Sequence, residues 1–153
     1  MLFVGASLAG GMALGMSAPS VAQSSAALHP VDGSRGWVGT PAQSTQLHNG
    51  VLVEQFEPGA GERLRITDKV RVHYLGRFPD GTVFDSSYAR GEPAVFELDK
   101  VIACWTHGLQ QLAPGARARL GCPAHTAYGV EGVPGVIPPD AILFFDIEVL
   151  GKS

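Results

Sequence analysis

The feature that most limits what this chain can fold into is where its charges sit. No Asp, Glu, Lys or Arg occurs between Met1 and Val31, and only Asp32 and Arg35 precede Asn49. The other 23 of the 25 charged residues (11 basic plus 14 acidic) come later. A soluble domain needs polar and charged side chains spread around a core. The part of the chain able to form one therefore runs from about Asn49 to Gly151. That length holds one domain and is too short for two.

The uncharged front is apolar and small-residued from Met1 to about Met16, like the hydrophobic region of a secretory signal. Ser20-Val21-Ala22 places small residues before Gln23, so residues 1–22 are expected to be a signal peptide, although no Lys or Arg precedes the apolar run. A Gly/Ala/Ser tail is the competing reading. A span needs about 20 apolar residues, and Gly10, Gly11 and Gly15 interrupt this stretch, so no stable membrane anchor is expected. Residues 23–48, rich in Ser, Gln, Gly, Thr and Pro, read as a flexible linker in which Trp37 has no assigned place. Export is expected, to a bacterial periplasm first, with an organelle lumen or the cytoplasm as alternatives.

In the rear part, Val51 and Val53 suggest a strand, and Val70, Val72 and Tyr74 alternate with Arg71 and His73 as in a half-buried strand. Pro79-Asp80-Gly81 is a turn signal before Thr82-Val83-Phe84, which predicts a hairpin. Ile102, Trp105, Leu109 and Leu112 fall on one helical face, with Asp99 as the expected cap and Pro114-Gly115 as the stop. Ala116, Ala118 and Leu120 predict another strand. Ala141 to Leu150 predicts the last, with Leu143, Phe145, Ile147 and Val149 on one face and Asp146 and Glu148 on the other. About five strands and one amphipathic helix predict an α+β domain, an antiparallel half-barrel sheet wrapped around a single short helix. Half of the twelve residues from Gly129 to Asp140 are Gly or Pro, which predicts a constrained flap.

The usual catalytic signatures are missing. There is no Gly-x-Ser-x-Gly elbow, no phosphate-cradling loop and no His-Glu-x-x-His. The five histidines show no metal spacing, so neither a metal nor a cofactor is expected. The net charge of −3 and the lack of basic runs argue against nucleic acid. Cys104 and Cys122 either bridge in an oxidising compartment or serve as two small buried hydrophobes, and their spacing leaves both open.

What remains is a set of aromatics and an ordered series of motifs. Val72-His73-Tyr74 is followed by Asp80-Gly81-Thr82-Val83-Phe84-Asp85-Ser86-Ser87, then Val101-Ile102-Ala103-Cys104-Trp105 and Gly108-Leu109. Later come Ala127-Tyr128-Gly129, Ile137-Pro138-Pro139 and Leu143-Phe144-Phe145-Asp146-Ile147-Glu148. Residues 49–151 resemble the FKBP-type peptidyl-prolyl cis/trans isomerases. The resemblance implies a half-barrel fold and a pocket for proline-containing polypeptides built from Tyr74, Phe84, Val101, Trp105, Ile137 and Phe145. Trp105 would be its floor. Tyr128 would donate its hydroxyl to a substrate carbonyl, the Ile102 backbone N–H would bind another, and Asp85 would accept a hydrogen bond at the edge. The family's macrolide ligands are a further implied partner. Ala94, where many members have an aromatic, and Val133 at the flap tip both bear on substrate preference and macrolide affinity.

The function that follows is acceleration of X–Pro rotation in folding or exported proteins. The alternative is a proline-peptide-binding chaperone module with little turnover, and a thiol-redox role for Cys104 and Cys122 is a third reading. With no dimerising helix before the domain, a monomer is expected.

Overall fold

The computed structural model describes residues 36–153. The segment read as a signal, and the linker up to Arg35, lie outside the described residues. Seven strands form one antiparallel sheet: β1 (Gln43–Gln46), β2 (Leu52–Glu57), β3 (Lys69–Arg77), β4 (Val83–Ser86), β5 (Ala94–Glu97), β6 (Arg117–Cys122) and β7 (Leu143–Lys152). Helix α1 is the single turn Ser87–Arg90, and α2 runs Ala103–Leu109.

The order across the sheet is β1-β2-β6-β7-β3, and the far edge of β3 is shared by β4 at one end and β5 at the other. Period-two patterning sets the faces. Val70, Val72 and Tyr74 of β3 are completely buried, as are Ala118 and Leu120 of β6 and Phe145, Ile147 and Val149 of β7. Register confirms that these share a face: Tyr74 lies opposite Ile147 and Leu120 opposite Phe145. Against this face packs α2, whose Trp105 and Leu109 are also fully buried.

The expected hairpin is present, with Leu75 paired to Ser86 and Gly76 to Asp85. Two strands go beyond the expected five. Segment β5 is short and half exposed, so its pattern is indistinct; it is defined by pairing, with Val72 opposite Ala94 and Val70 opposite Phe96. Strand β1 is the polar sequence Gln-Ser-Thr-Gln, fully exposed, and exists because β2 offers it an open edge. The helix also departs from expectation at its start. Asp99 lies in a separate 3-10 turn, and the residue at the cap of α2 is Ile102, which makes no side-chain capping bond.

The stretch expected to be linker is thus structured from Gly36 onward, and Trp37 explains much of it. Only 4% of its surface is exposed, and it lies on the outer face of the sheet. Its indole N–H donates to the Ala118 carbonyl at 3.1 Å, and its backbone N–H donates to Asp146 Oδ2 at 3.1 Å. Arg119 reaches the Trp37 carbonyl, and Arg117 stands over the ring at 5.6 Å. Asp146, expected on an open polar face, is therefore 2% exposed and is held by Arg77 and Arg119 as well. Replacing Trp37 with Ala removes the ring and uncovers this charge cluster. The expected loss is about 2 kcal/mol of unfolding free energy, less than for a central core aromatic because the arm can detach as a unit. Chemical denaturation of Trp37→Ala checks this; an unchanged midpoint would show that the arm contributes nothing.

Candidate functional site

The site is built around α2. Three rings stand nearly perpendicular to the Trp105 indole: Tyr74 from β3 at 5.3 Å and 82°, Phe96 from β5 at 5.2 Å and 87°, and Phe145 from β7 at 5.3 Å and 90°. Edge-to-face contact suits the aromatic quadrupole. Phe84 of β4 continues the series, edge-on to Phe145 at 5.7 Å. This contact requires Gly76, because a Cβ there would lie 2.7 Å from the Phe84 ring and 3.0 Å from Phe145. Trp105, Tyr74 and Phe145 show no exposed surface. The indole is the enclosed base of the cluster. Surface is presented by Phe84, Phe96, Val101 and Tyr128, all partly buried, with Ile102 and Ile137 just beneath at 9% and 5% exposure.

Asp85 is polar among these apolar groups, and the fold gives it two partners. The Tyr74 hydroxyl donates to Asp85 Oδ2 at 2.6 Å. Arg90 donates from Nη1 to Asp85 Oδ1 and from Nη2 to the Tyr74 oxygen at 2.9 Å. Arg90 also lies over the Tyr74 ring at 5.6 Å. Desolvation raises the Tyr74 pKa, and the Asp85 hydrogen bond adds to it. The phenol therefore stays protonated as a donor at any ordinary pH. Tyr128 is likewise raised, first by burial and then by the nearby Tyr74 and Asp85.

Arg90 and Phe96 were not among the candidates from sequence. Arg90 had a faint signal: a carboxylate in apolar surroundings calls for a cation, and Arg90 lies five residues on. Its delivery depends on α1, whose single turn is capped by Ser86 accepting from Ala89 N–H at 3.1 Å and closed by Gly91 in the left-handed region. Phe96 faces inward only because β5 pairs with β3.

Behind Tyr74, Ser87 is wholly buried and accepts the Tyr74 backbone N–H at 2.7 Å. His73 Nδ1 lies 2.8 Å from the same hydroxyl, and its ring stacks on Tyr88 at 4.6 Å. Burial lowers the His73 pKa below 6.5, outweighing the opposing pull of Glu148. The unfolded chain therefore takes up a proton first as pH falls. Stability is full above about 6.5 and declines as pH drops from there towards the lower folded value. Melting at pH 7.5 and 5.5 should show this decline, and His73→Gln should flatten it; an equal decline in both proteins would assign it elsewhere.

Cys104 of α2 and Cys122 at the end of β6 form a disulfide with Cα atoms 5.6 Å apart. The bridge fixes the helix next to Trp105 and the strand end that leads, through a 3-10 turn at Ala124–Thr126, to Tyr128.

The sequence model for "FKBP-type peptidyl-prolyl cis-trans isomerase" matches residues 61–150. A probable FKBP-type peptidyl-prolyl cis-trans isomerase of Haemophilus influenzae is 41% identical over 112 residues, 73% of this chain and 46% of that protein. The Macrophage infectivity potentiator of Trypanosoma cruzi is 45% identical over 70% of this chain and 55% of its own length. Among solved structures, FkpA of Escherichia coli is similar with a TM-score of 0.69 at 43% identity, covering 72% of this chain and 51% of that one. AtFKBP13 gives a TM-score of 0.66 at 31% identity and is covered completely by 73% of this chain. The chain spans about half the length of these curated relatives.

Proposed function

Because the chain belongs to the FKBP-type peptidyl-prolyl cis-trans isomerase family, we propose that it accelerates rotation about X–Pro bonds in polypeptides. The observation that carries this reading is the aromatic cluster on Trp105, with Asp85, Tyr74 and Arg90 linked at its edge.

Such a site needs no nucleophile or proton carrier. The barrier to X–Pro rotation, about 18–20 kcal/mol, is lost amide resonance. A planar amide carries partial negative charge on oxygen and is well solvated by water. The twisted amide has less charge there and a lone pair returned to the prolyl nitrogen. An apolar surround therefore disfavours the planar form more than the twisted one, which is differential binding of the transition state. In this reading the prolyl ring packs against Phe84, Val101, Ile102, Ile137 and Tyr128, with Trp105 and Phe145 as the rigid base. The Tyr128 hydroxyl and the Ile102 N–H bind substrate carbonyls. The Asp85–Tyr74–Arg90 group keeps a carboxylate oxygen at the edge without an isolated charge. A thousandfold acceleration needs roughly 4 kcal/mol, within reach of an apolar wall and one or two hydrogen bonds selective for the twisted geometry.

A protease-coupled assay on an X-Pro-Phe peptide tests this, with a rate well above the spontaneous one expected. Binding of the peptide with no acceleration would replace the enzyme with a proline-peptide-binding chaperone module. Macrolides of the type the family binds fit the same apolar wall, with Ala94 and Val133 altering the fit. For location, we infer export to an oxidising compartment, a bacterial periplasm first. The Cys104–Cys122 bridge supports this, as does the apolar, charge-free front of the sequence. Among the described residues no helix is long and apolar enough to cross a membrane. The clients are proline-containing chains, taken up by a monomer.

A further inference from the structure

The flap from Gly129 to Asp140 is a closed hairpin rather than an open loop. Val133 and Ile137 exchange both backbone bonds at 2.8 Å, and Val136 N–H donates to the Val133 carbonyl at 2.9 Å. The base is tied by Asp140 N–H to the Gly129 carbonyl at 2.9 Å, and Gly132 N–H donates to the Tyr128 carbonyl at 3.0 Å. One side of this hairpin therefore holds Tyr128 and the other holds Ile137, and both belong to the proposed site.

Gly129, Gly132 and Gly135 of the flap all have left-handed backbone, and the last two have very different surroundings. At Gly132 (φ +63°) a Cβ would lie 2.2 Å from the Ile137 carbonyl oxygen and 2.7 Å from that of Pro138. Both are backbone atoms, which cannot swing aside as a side chain would. At Gly135 (φ +79°) a Cβ would meet nothing within 4 Å. Any side chain thus brings left-handed strain at both positions, and a collision only at Gly132.

We propose that Gly132 is a positioning residue for the reaction: its missing side chain lets the hairpin close, and the closed hairpin fixes Tyr128 and Ile137 at the site. A methyl at Gly132 drives the Ile137 carbonyl away, breaks the Val133–Ile137 pair and loosens the tie to Tyr128. Displacement of about 1 Å in a positioned group can cost roughly a hundredfold in rate. The proposal rests on the isomerase reading, and its test keeps the two separate.

The experiment compares Gly132→Ala with Gly135→Ala in the full chain. Gly132→Ala is expected to lower kcat/KM roughly tenfold or more, while Gly135→Ala stays within about twofold. Hydrogen exchange at the Val133 and Ile137 amides should become fast in the first variant and remain slow in the second. The activity loss should also be smaller when Gly132→Ala is made on a Tyr128→Phe background, since part of what it displaces is already gone. An active Gly132→Ala with protected amides, or a loss undiminished on the Tyr128→Phe background, overturns the proposal. If the wild-type chain shows no isomerase activity, the functional reading fails, and the exchange comparison still decides whether Gly132 pins the flap. Should Gly132→Ala not fold, Val133→Pro deletes one donor of the hairpin and is expected to show the same loss; full activity there overturns the proposal.

Discussion

Reducing the Cys104–Cys122 bridge is expected to lower the unfolding free energy by about 3 kcal/mol, the chain-entropy value for a loop near this length. The residues are 18 apart in sequence, and both are completely buried between α2 and β6. For a domain of this size such a loss lowers the melting temperature by roughly 10–20 °C. Melts with and without reductant check this, with alkylation and mass spectrometry verifying that the thiols are free. A Cys104→Ala/Cys122→Ala protein should melt near the reduced wild type, because Ala introduces no unpaired hydroxyl into an apolar site. No shift on verified reduction would mean that packing alone holds α2 against β6. The burial also bears on redox chemistry: a cysteine that reacts in turnover needs access, and both of these are completely buried. The double-alanine protein, kept well below its melting point, should therefore give the same rate as the wild type in the protease-coupled assay.

How much of this could be read from sequence follows from the range of the forces. Period-two patterning in β3, β6 and β7 is a local record of which face is buried, so the sheet core, the β3–β4 hairpin and the Trp105–Leu109 face of α2 were legible. Strand β1 leaves no such record. Its side chains are all exposed, and it is a strand only because β2 leaves an edge to pair with. Segment β5, four residues long, depends on β3 in the same way. Asp99 looked like a helix cap because it is the right residue type near the right place, but a 3-10 turn intervenes and the helix starts four residues later. Trp37 is a long-range case: its partners Ala118 and Asp146 are 81 and 109 residues away.

The site divides along the same line. Tyr74, Phe84, Trp105 and Phe145 sit in regular elements, so each lies where its strand or helix phase puts it, whereas Val101, Ile102, Tyr128 and Ile137 lie in connecting segments. The polar edge is different. Asp85 was visible in sequence as a misplaced charge, but what it does depends on Arg90 approaching from a one-turn helix, and no periodicity encodes that. The full burial of Trp105 is not encoded by residue type and helical phase, which give a facing side and not a depth.

That polar edge is where substitution should separate activity from fold. Asp85→Val removes the acceptor of the Tyr74 hydroxyl and the anionic partner of Arg90 together. A charge-assisted hydrogen bond is worth about 1.5–3 kcal/mol, and the guanidinium left behind is only 28% exposed, so it cannot recover full hydration in place. Tyr74 is then free to shift against Trp105, and the wall beside the prolyl ring loses its fixed position. The expected result is a fall in kcat/KM of roughly tenfold to a hundredfold. The fold should survive, since the packing of Phe96 and Phe145 on Trp105 does not depend on Asp85. Tyr128→Phe should cost less, roughly fivefold, the equivalent of one neutral hydrogen bond. Glu97→Gln serves as the control: its pair with Lys100 is exposed on both sides, and surface pairs of this kind contribute little. The protease-coupled assay, run beside circular dichroism and melting of each variant, reads all three. Wild-type rates in both Asp85→Val and Tyr128→Phe would move the reacting bond away from this edge. A loss shared by Glu97→Gln would mean that the rate follows overall stability rather than the Asp85–Tyr74–Arg90 group.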